Sequence, residues 1–264
     1  MNRPSFFAVL GDVHGHFDKA ILALQGALDT VPGAAESLSA VFCVGDVEAL
    51  RSEAEIHEVH GPAKYRTMGE FHCVLTGELT FPAPVYFIGG NHEPWASLDA
   101  DGGLVSGHGQ WAPGVSFLGR AGVLEVVGLR VAFLSGIYSP VGSARTVKQR
   151  LVPVSDRKRR TYWVEEELRT VLAAGSRRPV DVLLTHDWPA GIGADRMGAP
   201  TGDVHVRSLV EKLRPTISCH GHMHHPLTAQ IGPTSVHCLG HIRAGADAVA
   251  LFSVSPGQGV TRIY

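Results

Sequence analysis

Five short runs of the chain are rich in apolar residues: 6–10, 40–44, 85–89, 180–185 and 216–220. Short runs rich in Val, Ile and Phe mark buried strands. Each run breaks off where polar residues begin, and sites in open α/β sheets form at such C-terminal strand ends. Between the runs, apolar residues recur at helical spacing in 16–30, 159–175 and 203–215, the last two stopped by Gly175 and Pro215. Residues 115–138 alternate like strands joined by glycine turns, and 248–264 read as a terminal hairpin. The pattern predicts an α/β protein with two sheets, one partly antiparallel, in a single domain spanning 1–264. Long loops are expected at 46–70 and 139–157.

The polar residues at those strand ends share one chemistry. Asp12 and His14 stand in GDVHG, Asp46 in GDVE, Asn91 in GGNHEP, His186 in THDWP, and His222 and His224 in GHMHHP. Carboxylate, imidazole and amide oxygen together suit divalent ions such as Mn, Fe or Zn, whereas a structural zinc would call for thiolates. In a strand-end D-x-H, alternate residues share a direction, so both side chains reach one ion. Asp187 and His225, each next to a candidate ligand, are expected to orient ligands from outside. The remaining histidines, including His16, His220, His237 and His241, are expected mostly at the surface.

Composition narrows the class further. The chain has 264 residues, 44% hydrophobic and 18% charged, with no apolar run near the roughly 20 residues a membrane helix requires. No membrane partner or obligatory protein partner is indicated. Four scattered cysteines without a C-x-x-C pair fit a reducing cytoplasm. Net charge is −2, so any attraction to nucleic acid must be local. One basic run, 145–160, stands out. With Arg159 and Arg160 in it, Arg51, Lys64 and Arg66 on the facing loop, and Tyr65 or Trp163 for stacking, it is a candidate track for a polyanion.

The ordered set D-x-H, G-D, G-N-H-E, H and G-H-x-H resembles the calcineurin-like metallophosphoesterases across nearly the whole chain. The resemblance implies a four-layer αββα sandwich of two mixed sheets flanked by helices, with two divalent metals between the sheets. It implies that Asp12, His14 and His224 hold one ion, that Asn91, His186 and His222 hold the other, and that Asp46 bridges both. A bridging water whose pKa the ions lower would attack phosphorus in line. His92 would protonate the leaving alkoxide.

Within that family the protein phosphatases continue the second motif as G-D-x-x-D-R-G, where the arginine grips a terminal phosphate. Here Ala49 and Leu50 stand at the Asp and Arg positions, which removes a bidentate clamp for a dianionic monoester. The segments KYR, GGNHE, SGIY and HDWP resemble the catalytic domain of RNA lariat debranching enzymes. Eukaryotic members of that group have Cys where this chain has Asp12. The resemblance implies a phosphodiesterase acting on RNA or a nucleotide. A metallophosphatase of a small phosphoester or phosphoprotein, and a non-catalytic scaffold of the same fold, are the alternatives.

Overall fold

A computed structural model describes residues 5–152, 156–195, 197–255 and 259–264. In chain order the strands are β1 (Ser5–Leu10), β2 (Leu38–Cys43), β3 (Val85–Phe87), β4 (Gln110–Ala112) and β5 (Val115–Phe117). They continue with β6 (Ala121–Val126), β7 (Leu129–Leu134), β8 (Val182–Thr185), β9 (Ile217–His220) and β10 (Leu227–Ile231). β11 (Thr234–Cys238), β12 (Val249–Ser255) and β13 (Gly259–Arg262) complete the set.

These strands form a seven-stranded sheet in the order β13-β12-β1-β2-β3-β5-β4 and a six-stranded sheet in the order β10-β11-β9-β8-β7-β6. Each sheet has a parallel centre with antiparallel edges: β1, β2, β3 and β5 run parallel in the first, and β7, β8, β9 and β11 in the second. Both sheets are therefore mixed. The terminal hairpin forms as expected, and β12 joins it to the first sheet by pairing antiparallel with β1.

The period-two alternation of the strands explains the layering. Phe7 and Val9 of β1 and Phe42 of β2 face Val131, Phe133, Leu184 and Cys219 of the other sheet in one shared core. Phe6, Ala8 and Leu10 turn the other way, against Phe17, Leu24 and Leu28 of the helix Phe17–Asp29. On the outside of the second sheet, Leu183 packs with Val171 and Leu209, from the helices Glu165–Gly175 and Val204–Leu213. Helix, sheet, sheet and helix thus stack in four layers, the sandwich implied by the motifs.

Two local expectations need correction. The helix expected at 159–175 is split: Arg157–Arg160 is a separate turn, Tyr162 bridges to Ile137, and the long helix begins only at Glu165. Val164 is extended, and its N–H donates to Glu167 (2.9 Å), which sets that start. The loop expected at 139–157 contains the short helices Pro140–Ser143 and Val147–Arg150. Part of the basic run, 153–155, lies outside the described residues. Among the described residues no helix is long and apolar enough to cross a membrane.

Candidate metal centre

All five motif segments follow the C-terminal ends of parallel strands, β1, β2 and β3 from one sheet and β8 and β9 from the other. They meet at one end of the shared core. The backbone there departs from regular structure: His14, Asp46, Glu48, His222 and His224 all have positive φ, between 46° and 70°. Side chains rarely adopt that region, and such strain collects at functional sites. Only a glycine fits at 90, where a Cβ would meet Asp46 Oδ1 at 2.2 Å.

The structure gathers the expected ligands into two groups, Asp12 with His14 and His224, and Asp46 with His186 and His222. Asp46 joins the two groups. Asp46 Oδ2 lies 3.3 Å from His186 Nε2 and 3.6 Å from His14 Nε2. Asn91 Oδ1 is 3.2 Å from His186 Nε2, and Asp12 Oδ2 is 3.2 Å from His224 Nε2. The other oxygen of Asp46 accepts the backbone N–H of His92 at 2.7 Å, and Asp12 accepts the N–H of His222.

The donor chemistry fits cations. His186 Nδ1 donates to the Val44 carbonyl (2.8 Å) and His14 Nδ1 donates to Glu48 (2.8 Å), so the neutral rings turn bare Nε2 lone pairs inward. Those lone pairs confront other acceptors: Asn91 Oδ1 beside His186, and His224 Nε2 at 3.2 Å from His14 Nε2. Asp12 and Asp46 are buried, and among the described residues no lysine or arginine pairs with either. Burial opposes charging His14 and His186, yet Glu48 and Asp46 beside the first, and Asp46 and Asp12 beside the second, raise them to about 9 and about 10.

Outside the ligands, Glu93 is fully buried and accepts the N–H groups of Val47 (2.8 Å), Glu48 (3.0 Å) and Gly90 (3.2 Å). It ties the second motif to the third, while burial pushes its carboxyl up to about 8. Asp187 lies 3.7 Å from His222 Nε2 and accepts the Tyr138 N–H. His225 does not act on a ligand in this way. Its ring packs on Trp188, and its Nδ1 is 3.3 Å from the Met223 carbonyl.

The His92 ring stands 5.4 Å from that of His14 and lines a groove of about 430 Å³ with His224, His60, Lys64 and Arg66. A smaller hollow of about 210 Å³ opens at His222, Asp187 and Tyr138. Of the expected substrate contacts, Lys64 and Arg66 line the groove, and the side chain of Tyr65 lies outside the described residues.

The rest are engaged elsewhere. Arg51 lies over the Trp111 ring at 3.5 Å and pairs with Glu55 at 2.6 Å. Arg160 is buried and pairs with Asp99 at 2.7 Å, while Arg159 is taken up by Asp156 and the Val152 carbonyl. Trp163 is 1% exposed and packs among Tyr138 and His205, so it offers no stacking face. His220 and His237 are buried as well. His220 bonds Thr185 and Ser218, and His237 bonds Ser235.

Sequence reasoning missed Glu48, Glu93 and His241. The first two complete motifs that it had quoted, GDVE and GNHE. His241 belongs to no motif, and its ring lies parallel to His14 at 4.9 Å.

Residues 7–226 match the model of the calcineurin-like phosphoesterases, and the chain belongs to that family of metal-dependent phosphoester hydrolases. Among curated proteins it is 30% identical to the lariat debranching enzyme of Entamoeba histolytica, over 89% of this chain and 68% of that one. It is also 30% identical to the human lariat debranching enzyme, over 82% of this chain but only 41% of that one. The match thus spans 68% of the first of these relatives and 41% of the second. Among solved structures, TT1561 of Thermus thermophilus superposes with a TM-score of 0.57 at 14% identity, over 99% of both chains. GAP50 of Plasmodium, described as the anchor in the inner membrane complex, gives 0.55 at 10% identity, over 99% of this chain and 84% of that one. These two likenesses concern the fold.

Proposed function

We propose that the chain, acting as one domain, is a dinuclear phosphodiesterase that cleaves a phosphodiester of RNA or a nucleotide, as its debranching-enzyme relatives suggest. The observation that carries this reading is the position of Asp46 Oδ2 between His186 and His14, where one carboxylate joins two ligand groups. Asp12, His14 and His224 would hold one divalent ion and Asn91, His186 and His222 the other, with Asp46 shared. Bound there, the ions would activate water and neutralise phosphoryl oxygens.

The protein's own contribution is positioning and proton transfer. The Val44 carbonyl and Glu48 fix the tautomers of His186 and His14, so that the ligand atoms face inward. Asp46 holds the backbone of His92, and that places the imidazole in the groove beside the His14 and His224 rings. As the water oxygen bonds to phosphorus, the opposite P–O bond breaks and His92 gives its proton to the leaving oxygen. Ala49 and Leu50, both buried, leave no guanidinium at the second motif for a terminal phosphate. A diester, with one negative charge and two substituents, suits a site with a groove at His14 and His224 and a hollow at His222.

The test is a substrate panel for the metal-loaded chain: branched 2',5' RNA, linear RNA and DNA, cyclic nucleotides, an aryl phosphodiester and a phosphomonoester. Diester turnover with little or no monoester turnover is expected. Turnover of monoesters alone would refute the reading.

A further inference from the structure

The groove beside His14, His92 and His224 carries cationic side chains that do not come from the second motif. Arg243, Lys64 and Arg66 line it, and its carboxylate, Glu48, is occupied by His14. In a chain of net charge −2, this concentration of positive charge is local.

Arg243 enters from the segment after β11, which is fastened to the first ligand. Asp12 forms a parallel bridge with His241, and the Ile242 N–H donates to the Asp12 carbonyl at 2.9 Å. The Arg243 backbone N–H donates to His241 Nδ1 at 3.1 Å, and the His241 ring stacks on His14 with 16° between planes. The guanidinium Nε–H donates to His16 Nε2 at 3.0 Å. That contact uses one edge of the fork. The two terminal nitrogens make no hydrogen bond among the described residues, and the residue is exposed.

A guanidinium oriented through Nε, with both terminal nitrogens open, is suited to a bidentate phosphate contact. Its place along the groove selects which phosphate. The His241 ring lies against His14, and the His16 ring that holds Arg243 is a further 6.1 Å from His241. The fork is thus linked to the ligand cluster through the His16 and His241 rings, and among the described residues it pairs with neither Asp12 nor Asp46. We propose that Arg243, steadied by His16 and His241, grips a phosphate adjacent to the scissile one in an oligonucleotide. This rests on the phosphodiesterase reading and adds to it that the substrate is a strand, with charge flanking the cleaved linkage.

The experiment compares the metal-loaded full chain with Arg243→Ala and Arg243→Lys on two substrates. One is a short RNA containing the cleaved linkage, the other bis(4-nitrophenyl) phosphate, which has no flanking phosphate. Arg243→Ala is expected to raise KM for the RNA about tenfold with a much smaller change in kcat. The loss in kcat/KM should be about tenfold larger on RNA than on the aryl diester, and Lys should restore part of it.

In an Asp46→Asn background, where binding is read without cleavage, the slope of log K against log salt should fall by about 0.7 on removing Arg243. Equal losses on both substrates, a loss in kcat alone, loss of bound metal, or an unchanged salt slope would overturn the proposal. If the wild-type chain cleaves no diester, the phosphodiesterase reading fails, and the salt slope still tests Arg243 by itself.

Discussion

His14 and Glu48 form a hydrogen-bonded pair, Nδ1 to Oε1 at 2.8 Å, that joins the first motif to the second. Glu48 is mostly buried and has positive φ, so its backbone is held in a strained turn with the carboxylate at the ring. A carboxylate behind a metal histidine fixes the tautomer and raises ligand basicity. Glu48→Ala is expected to weaken the ion at Asp12, His14 and His224 by about 10- to 100-fold, with much less effect on the ion at Asn91, His186 and His222. Calorimetric titration with Mn would resolve the two sites. Unchanged affinity at both would remove Glu48 from the account.

His92→Ala should lower kcat by about 10²- to 10⁴-fold on an RNA diester, the range for loss of a general acid. On an aryl diester, whose leaving group needs no proton, the loss should be far smaller. The contrast is the informative quantity. Equal losses on both substrates would mean that the imidazole serves to position groups in the groove and not as an acid.

A further prediction concerns stability and is distinct from catalysis. Asp99 is buried among Arg120 (2.8 Å), Arg160 (2.7 Å) and Arg150 (3.8 Å), and Arg150 also bonds Glu167. Burial favours the neutral acid, but Arg120 and then Arg150 and Arg160 hold the carboxyl below its ordinary value of 3.8. The folded value thus lies below the unfolded one. Its contribution to stability is full above about pH 4 and is lost as pH falls through the folded value. Asp99→Ala should cost about 3–5 kcal/mol in denaturant unfolding at pH 7, because it strands buried guanidinium groups. A change within about 0.5 kcal/mol, the range typical of surface substitutions, would contradict the network.

The same network marks where the sequence was least legible. Arg150 and Arg160 belong to the basic run that reads as a track for a polyanion, and the residue that pairs with Arg160 is Asp99, 61 positions away. Charge patterning along a chain carries no information about such a partner. His220 was misread for a related reason. A histidine that ends a strand run gives no hint that Thr185, from the neighbouring strand, waits to bond it.

That the candidate ligands gather in one place was legible because each stands just past the end of an apolar strand run, most of them beside a glycine. The layered fold followed from the same runs. Glu48 and Glu93 lay within quoted motifs, and only the folded loops reveal what their carboxylates hold. His241 and Arg243 lay in a segment without a motif, and their relation to His14 and His16 exists only in three dimensions.

The central claim is that Asp46 joins two ion sites into one centre for diester hydrolysis. It is tested most directly by counting bound ions per chain, in the wild type and in Asp46→Asn, alongside turnover of an aryl phosphodiester. Two ions in the wild type, weakened binding at both sites in the variant, and loss of nearly all diester turnover are the results predicted. Full diester turnover by Asp46→Asn with its ion content unchanged would contradict the account.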